Sequence, residues 1–162
     1  MNKRERISGF VSSLGGGAVE ANNYYAAFFR LWNEQRYYEA HDVLEQLWLK
    51  EENAETARFF RALIQAAGAF VHLQKNFEHP SHAKHSRRLR PATRLFALAL
   101  RNLEGFPDEF RGLDLVSFRE LLTNVREQIL SGDCQRNPWS PESAPQLAVI
   151  PSEVEGSRGG HL

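Results

Sequence analysis

The amino-acid sequence predicts an all-α fold, a single compact bundle of about five helices in up-and-down order with disordered termini. Apolar residues recur at helical spacing in five segments of the chain. No segment shows the alternation of apolar and polar residues that is typical of a half-buried strand. The 162 residues, of which 42% are hydrophobic, suffice for one domain with a sizeable core.

The chain divides into three parts by composition. Residues 1–21 contain the triplet Gly15–Gly17 and little periodicity, which predicts a flexible N-terminal arm. Residues 22–131 contain the periodic segments and form the predicted helical domain. Residues 132–162 are rich in Pro and Gly, so we expect a disordered tail in which only Trp139 is a candidate for docking.

The first two helices are predicted from Asn22 to Glu34 and from Tyr37 to Glu51. Because only two residues separate them, they must lie antiparallel. The second helix carries apolar residues at the i, i+3, i+4, i+7, i+8 spacing of a buried face. These residues are Ala40, Val43, Leu44, Leu47 and Trp48.

The third helix is predicted from Ala54 to Lys75, with Asn53 as its N-cap. Between Ala62 and Leu73 it is apolar almost all round, which indicates a central helix covered on more than one side. Several small residues in this stretch would let neighbouring backbones approach closely.

The fourth and fifth helices follow after a His-rich turn. The fourth is predicted from Ser81 to Glu104, with a kink or a break into two shorter helices at Pro91. The fifth is predicted to begin after the N-cap Asp114 and to end at Ser131. The predicted core, whose burial offsets chain entropy, comprises Phe28, Phe29, Trp32, Leu44, Leu47, Trp48, Phe59, Leu63, Phe70, Leu95, Phe118 and Leu122.

The charge balance and the single cysteine limit the partners and the compartment. Twenty basic residues offset twenty acidic ones, so the whole-protein field does not favour nucleic acid or an anionic membrane. Cys134 has no second cysteine to pair with, which suits a reducing compartment. No apolar run reaches the length of a signal peptide or a membrane span. We therefore expect a cytoplasmic protein without membrane contact.

His41 and Glu45 are the first candidates for chemistry. They lie four residues apart on one flank of the second helix, just off the centre of its apolar stripe. A carboxylate beside an imidazole fixes its tautomer and raises its basicity, as in a general base or a metal ligand. The alternative is a structural hydrogen-bonded pair, because either group buried alone would be costly.

A polar stripe on the third helix supplies the remaining candidates. Arg61, Gln65, Gly68 and His72 recur at i, i+4, i+7 and i+11. If a helix packs over this stripe, Gln65 and His72 can face His41 and Glu45. The candidate binding residues are then Gln65, His72, Arg61 and Trp48. The candidate metal ligands, for zinc or iron as a cofactor, are His41, Glu45 and His72.

The segment after the third helix is strongly basic. No acidic residue lies between Glu78 and Glu104, and the stretch Lys84–Arg94 could hold phosphates or RNA. The alternative, which we favour, is that this segment and the acidic second helix neutralise each other within the fold. The three nearby histidines have weak metal-ligand spacing and more simply form a solvated turn; they are His79, His82 and His85.

Two blocks of this sequence resemble the bacterial and archaeal family called domain of unknown function number 309. The first block has an Asn before a short turn, then aromatic-Glu-Ala-His, a Leu-Glu step and a Trp. Its positions here are Asn33, Tyr38, Glu39, Ala40, His41, Leu44, Glu45 and Trp48. The second block comprises Leu63, Ile64, Gln65, Ala67, His72 and Asn76. The resemblance, from about Asn22 to Leu130, implies a compact all-helical fold with no established activity.

Two classes of function remain open from the sequence. The first is a polar pocket between the second and third helices, with His41 as base or ligand and Glu45 as its orienter, in a hydrolytic or metal-binding role. The second is a non-catalytic module that binds a protein, a second copy of the chain or RNA, in which the same residues tie the helices together. The sequence carries no signature of a nucleotide-binding loop or a covalent nucleophile.

Overall fold

A computed structural model describes residues 20–150 and confirms the all-α bundle. This range contains five α-helices, α1 (Glu20–Asn33), α2 (Tyr37–Lys50), α3 (Ala54–Glu78), α4 (Leu89–Asn102) and α5 (Leu115–Ser131). Each helix packs against the next one in the chain. Residues 1–19 and 151–162, where most of the predicted arm and the end of the predicted tail fall, lie outside the described residues.

The helix starts follow local sequence signals. Asn53 is the N-cap of α3, and its side chain accepts a hydrogen bond from the Thr56 amide at 2.9 Å. Asp114 caps α5 by accepting from the amides of Val116 and Ser117 at 3.0 and 3.2 Å. Both predicted caps are confirmed. The first helix begins at Glu20, two residues before the predicted start.

The predicted start of the fourth helix is wrong. Residues 79–84 form turns, His85–Arg87 form one 3₁₀ turn, and α4 begins only at Leu89. Pro91 is therefore the third residue of α4, where a backbone N–H has no partner within the helix. α4 continues unbroken from Leu89 to Asn102, because the proline lies in its first turn rather than in its interior.

α3 is the central helix, as its apolar middle predicts. It packs against α2 on one side and α4 on the other. Ala62, Ala66, Ala67 and Ala69 are fully buried, so the neighbouring helices pack against side chains that end at Cβ. Although α3 has 25 residues, no helix in the described part of the chain is both long and apolar enough to cross a membrane.

The core is built around aromatic rings. The Phe70 ring on α3 lies 4.9 Å from that of Trp32, 5.4 Å from that of Tyr37 and 5.4 Å from that of Phe96. Ring pairs at this spacing add to the free energy gained from burial. The predicted core residues are buried except Trp48 and Leu95, which are partly buried. The predicted core omitted several large buried side chains, including Tyr37, Phe60 and Phe96.

A two-residue hairpin, which the sequence did not predict, joins α4 to α5. β1 (Glu109–Phe110) pairs antiparallel with β2 (Leu113–Asp114). Gly112 lies in the turn with φ +84°, and a Cβ there would approach the Ile150 carbonyl oxygen to 2.6 Å. Glycine is thus required both for the turn and for the close approach of the chain near residue 150.

The predicted disorder of the tail is wrong for residues 132–150. Residues 133–150, which we name the strap, run from the end of α5 back across the bundle. The Pro145 carbonyl accepts from the Trp32 indole at 3.0 Å, and Asn33 exchanges two hydrogen bonds with the Leu147 backbone at 2.7 and 2.8 Å. Prolines exclude a helix here, but an extended segment is still fixed when side chains of the bundle satisfy its backbone groups.

Trp139 anchors the strap, as the sequence suggested. It is 5% exposed and makes edge contacts with Tyr37 and Phe77, at ring distances of 6.1 and 5.5 Å. Its indole donates to the Tyr37 hydroxyl at 3.2 Å. Burial raises the pKa of Tyr37, an effect that the indole donor partly opposes.

Replacing Trp139 with alanine should lower the free energy of unfolding by about 3–5 kcal/mol, the usual cost of truncating a buried aromatic side chain. Urea denaturation followed by circular dichroism measures this loss. Glu142→Ala, an exposed position in the same strap, should stay within about 0.5 kcal/mol of wild type. Equal stability of the Trp139 and Glu142 variants would show that the strap is not docked.

Candidate functional site

Three side chains on the flank of α2 bring ligand atoms together. His41, Asp42 and Glu45, which we name the His41 cluster, each offer one atom, and these atoms all lie within 4.8 Å of one another. His41 Nδ1 lies 3.1 Å from Asp42 Oδ1. The His41 side chain is 32% exposed, whereas the Asp42 side chain is 3% exposed. The cluster therefore combines a buried carboxylate with an imidazole that solvent can reach.

Asp42 is the member that sequence reasoning missed. Successive helical residues point about 100° apart, and a helical wheel places Asp42 on the side opposite Ala40, Val43 and Leu47. The near-complete burial of Asp42 is not what this pattern predicts. Its position directly after His41 and three residues before Glu45 was the signal in the sequence that could have placed a second carboxylate in this group.

The ring of His41 lies against the polar stripe of α3. A Cβ placed on Gly68 would be 4.0 Å from His41 Cδ2 and 3.3 Å from Leu95 Cδ1 on α4. α4 thus packs over the stripe, and α2, α3 and α4 meet at Gly68. The small residue at this point allows the three helices to approach.

Two other polar residues of the stripe, Gln65 and His72, bind α4 and its N-cap. Gln65 Oε1 accepts from Asn102 Nδ2 at 2.8 Å, and His72 Nδ1 accepts from Arg88 Nη1 at 2.9 Å. These bonds connect α3 to both ends of α4. Gln65 and His72 therefore act as helix ties, and the group of possible ligands among the described residues contains Asp42 where the sequence predicted His72.

The surroundings of His72 oppose a bound cation. Burial lowers the pKa of His72, and the nearby charges of Arg88 and Arg94 lower it further. The bond from Arg88 also requires that His72 Nδ1 carry no proton. A divalent ion at this imidazole would face two guanidinium groups, so the electrostatics favour the flank of α2 instead.

Trp48 and Arg61 lie together at the edge of the site. The Arg61 guanidinium carbon is 5.8 Å from the centre of the Trp48 ring, within the range of a cation–π contact. Trp48 is partly buried and Arg61 is exposed. Since Trp48 follows Glu45 by three residues, this pair lies about one helical turn from the His41 cluster.

The basic segment makes no direct ion pair with α2 among the described residues. Within residues 20–150, the ion pairs of α2 involve Arg36 or are made inside the helix, and none joins α2 to the segment from Lys84 to Arg94. Arg88 instead donates to His72 and, at 2.6 Å, to His85 Nδ1. We preferred the expectation that α2 and the basic segment neutralise each other. The described residues contain no direct ion pair between the two.

Part of the chain matches the model of a known protein family. Residues 25–82 match the model of the Domain of unknown function (DUF309). The resemblance seen in the sequence is confirmed, over a shorter range than the expected Asn22 to Leu130. The matched range contains the His41 cluster, Gln65 and His72, and it ends before α4.

One relative gives a second comparison. An "Uncharacterized protein" of Aquifex aeolicus (strain VF5) is 33% identical over 94 residues, which are 58% of this chain and 25% of that protein. The chain thus spans about a quarter of the length of this curated relative. Neither the family description nor the relative's name states an activity.

His72 should make stability depend on pH. Because its pKa is lower in the folded protein than the usual 6.5, the unfolded chain takes up a proton first as the pH falls. Stability is therefore full above the unfolded pKa and declines below it, until folded His72 is also protonated. His72→Gln keeps an acceptor for Arg88 but cannot titrate, so its melting temperature should fall less than that of wild type between about pH 7.5 and pH 5.5. Identical slopes in the two proteins would contradict this role of His72.

Gly68→Leu should separate the three helices at their meeting point. A large side chain there must displace Leu95 or the His41 ring, and overpacking of this kind costs about 1–3 kcal/mol. Thermal unfolding measures the loss, with Ala26→Leu on the exposed side of α1 as a control that should change little. A stable Gly68→Leu protein would show that the helices do not approach closely at this residue.

Proposed function

We propose that the His41 cluster binds a divalent transition-metal ion. The observation that carries the proposal is the convergence of one imidazole and two carboxylates within 4.8 Å. Around a tetrahedral zinc ion, neighbouring ligand atoms lie about 3.4 Å apart, given metal–ligand bonds of about 2.1 Å. The 3.1 Å between His41 and Asp42 already fits, and a small rotation of Glu45 closes the rest.

The chemistry of the three ligands supports zinc or iron. Imidazole favours zinc, iron, nickel and copper, whereas carboxylates are also ligands of harder ions. Two carboxylates would neutralise the charge of a divalent ion. The ion would remain close to solvent, because the His41 side chain is partly exposed. His41 Nδ1, the ring nitrogen beside Asp42 Oδ1, is the atom that would coordinate the ion together with the two carboxylates.

Three protein ligands would leave a fourth position for water. A water molecule on zinc loses a proton near neutral pH and becomes a nucleophile, which is the basis of hydrolytic metal sites. We therefore place hydrolysis first among the reaction classes to test. Trp48 and Arg61, one turn away, supply an aromatic face and a positive charge that can bind a substrate.

Gln65 and His72 take the structural role in this proposal. Each accepts a hydrogen bond from α4 or from its N-cap. For these two residues alone, this favours the alternative in which polar residues tie the helices together. We also propose a cytoplasmic location, which the single unpaired Cys134 supports.

Zinc binding by the full chain tests the proposal. The wild-type protein should bind one equivalent of zinc in competition with a chromophoric chelator, and His41→Ala should abolish this binding. Glu45→Gln should weaken it by about tenfold or more, since a neutral amide replaces a charged ligand. Glu52→Gln, an exposed carboxylate beyond the end of α2, should leave it unchanged.

A second control separates the His41 cluster from the His-rich turn. A His79→Ala/His82→Ala/His85→Ala protein should keep its equivalent of zinc, and loss of zinc in this variant would contradict the proposal. Thermal unfolding in a chelator checks folding of each variant. With free zinc at one hundred times Kd, wild type should gain about 2.7 kcal/mol of stability and His41→Ala none. Absence of binding in every protein would leave the His41 cluster a structural feature.

A further inference from the structure

A groove at the start of α4 is lined by three arginines that have no partner among residues 20–150. Its volume is about 700 Å³. The 3₁₀ turn and the start of α4 form one side of it, and residues 134–135 of the strap form the other. Arg87, Arg90 and Arg94 line it, together with polar residues that include Ser86 and Gln135. We name it the arginine groove.

The three guanidinium groups are exposed and unneutralised. Within residues 20–150, none of Arg87, Arg90 and Arg94 forms an ion pair or donates a side-chain hydrogen bond, and no described residue that lines the groove is acidic. Arg88, between them in sequence, differs because it is held by His72 and His85. The sequence stretch thus divides into one structural arginine and three that face solvent.

The position of these arginines on the helix is electrostatically unfavourable without an anion. Arg90 lies in the first turn of α4, where the partial positive charge of the helix N-terminus repels cations, and Arg94 lies one turn further along. Arg88 at the N-cap makes no side-chain capping bond. Positive charges of the helix end and of three side chains therefore add in one concave place, an arrangement that binds phosphate groups strongly.

The lining argues for a small ligand rather than a nucleic acid strand. Proteins that bind single-stranded RNA usually stack bases on aromatic side chains. No aromatic residue is among the described residues that line the arginine groove. Pro80, Leu89 and Pro91 give it a short apolar wall instead, and its volume is in the range of small-molecule sites.

We infer that the arginine groove binds a small organic phosphate, with Arg87, Arg90 and Arg94 as ligands of its phosphate groups. Arginine forms two parallel hydrogen bonds to phosphate oxygens, so three such residues can hold a di- or triphosphate. The groove is separate from the His41 cluster in residues and in charge. The two sites can therefore be tested independently.

Titration calorimetry with ATP and with inorganic pyrophosphate tests the inference, in the presence of a chelator so that a metal at the His41 cluster cannot contribute. Wild type should bind at least one of the two probes. Arg90→Glu should weaken binding by about tenfold or more, since a charged hydrogen bond is lost and a repulsion is added. Arg101→Glu, the same change on the exposed last turn of α4, should weaken it less than about twofold.

Further variants keep the test decisive. Arg90→Glu removes a cation from a helix N-terminus and should fold normally; Arg87→Ala and Arg94→Gln, both exposed, should also weaken binding. Failure of both probes to bind at millimolar concentration would overturn the inference, and so would equal losses in Arg90→Glu and Arg101→Glu. Binding of a short oligouridylate without binding of either probe would also overturn it, in favour of RNA.

Discussion

The close packing of α3 against α2 and α4 determines where the polar residues of the site lie. Fully buried alanines on α3 and Gly68 at the meeting point bring the three helices together. Polar groups at the edges of the contact then leave bulk water and need partners, because an unpaired buried polar atom is costly. Gln65 finds Asn102 and His72 finds Arg88. On α2, the remaining helix of this contact, His41 has Asp42 beside it.

Local signals made most of the fold predictable. Helical spacing and the caps Asn53 and Asp114 depend on neighbours within a few residues, and they predicted the bundle and most helix ends. Pro91 misled because a proline is tolerated in a first turn and breaks only an interior, and the sequence did not reveal which applied. The docking of residues 133–150 depends on contacts more than 100 residues away, which no local pattern can contain.

The candidate site was predictable only in part, for a related reason. His41 and Glu45 share a helix face, so the spacing alone predicted that they lie together. The partners of Gln65 and His72 come from α4, whose register on α3 is set by side-chain packing. The described residues also divide by charge, although the chain has no net charge. Two carboxylates lie beside His41 and three exposed guanidinium groups lie at the start of α4, so the two regions differ in the sign of their charge.

The strap also bears on the order in which the chain acquires its structure. Its bonds to α1 join residues 113 and 114 positions apart, whereas the helix hairpins form from contacts close in sequence. Closing so long a loop is entropically costly and slow compared with local contacts. During synthesis at about 5–20 residues per second, on the order of ten seconds pass between the appearance of Trp32 and that of Pro145. For that time the nascent bundle exposes the surface around Trp32 and Tyr37, which chaperones or neighbouring chains can contact before the strap covers it.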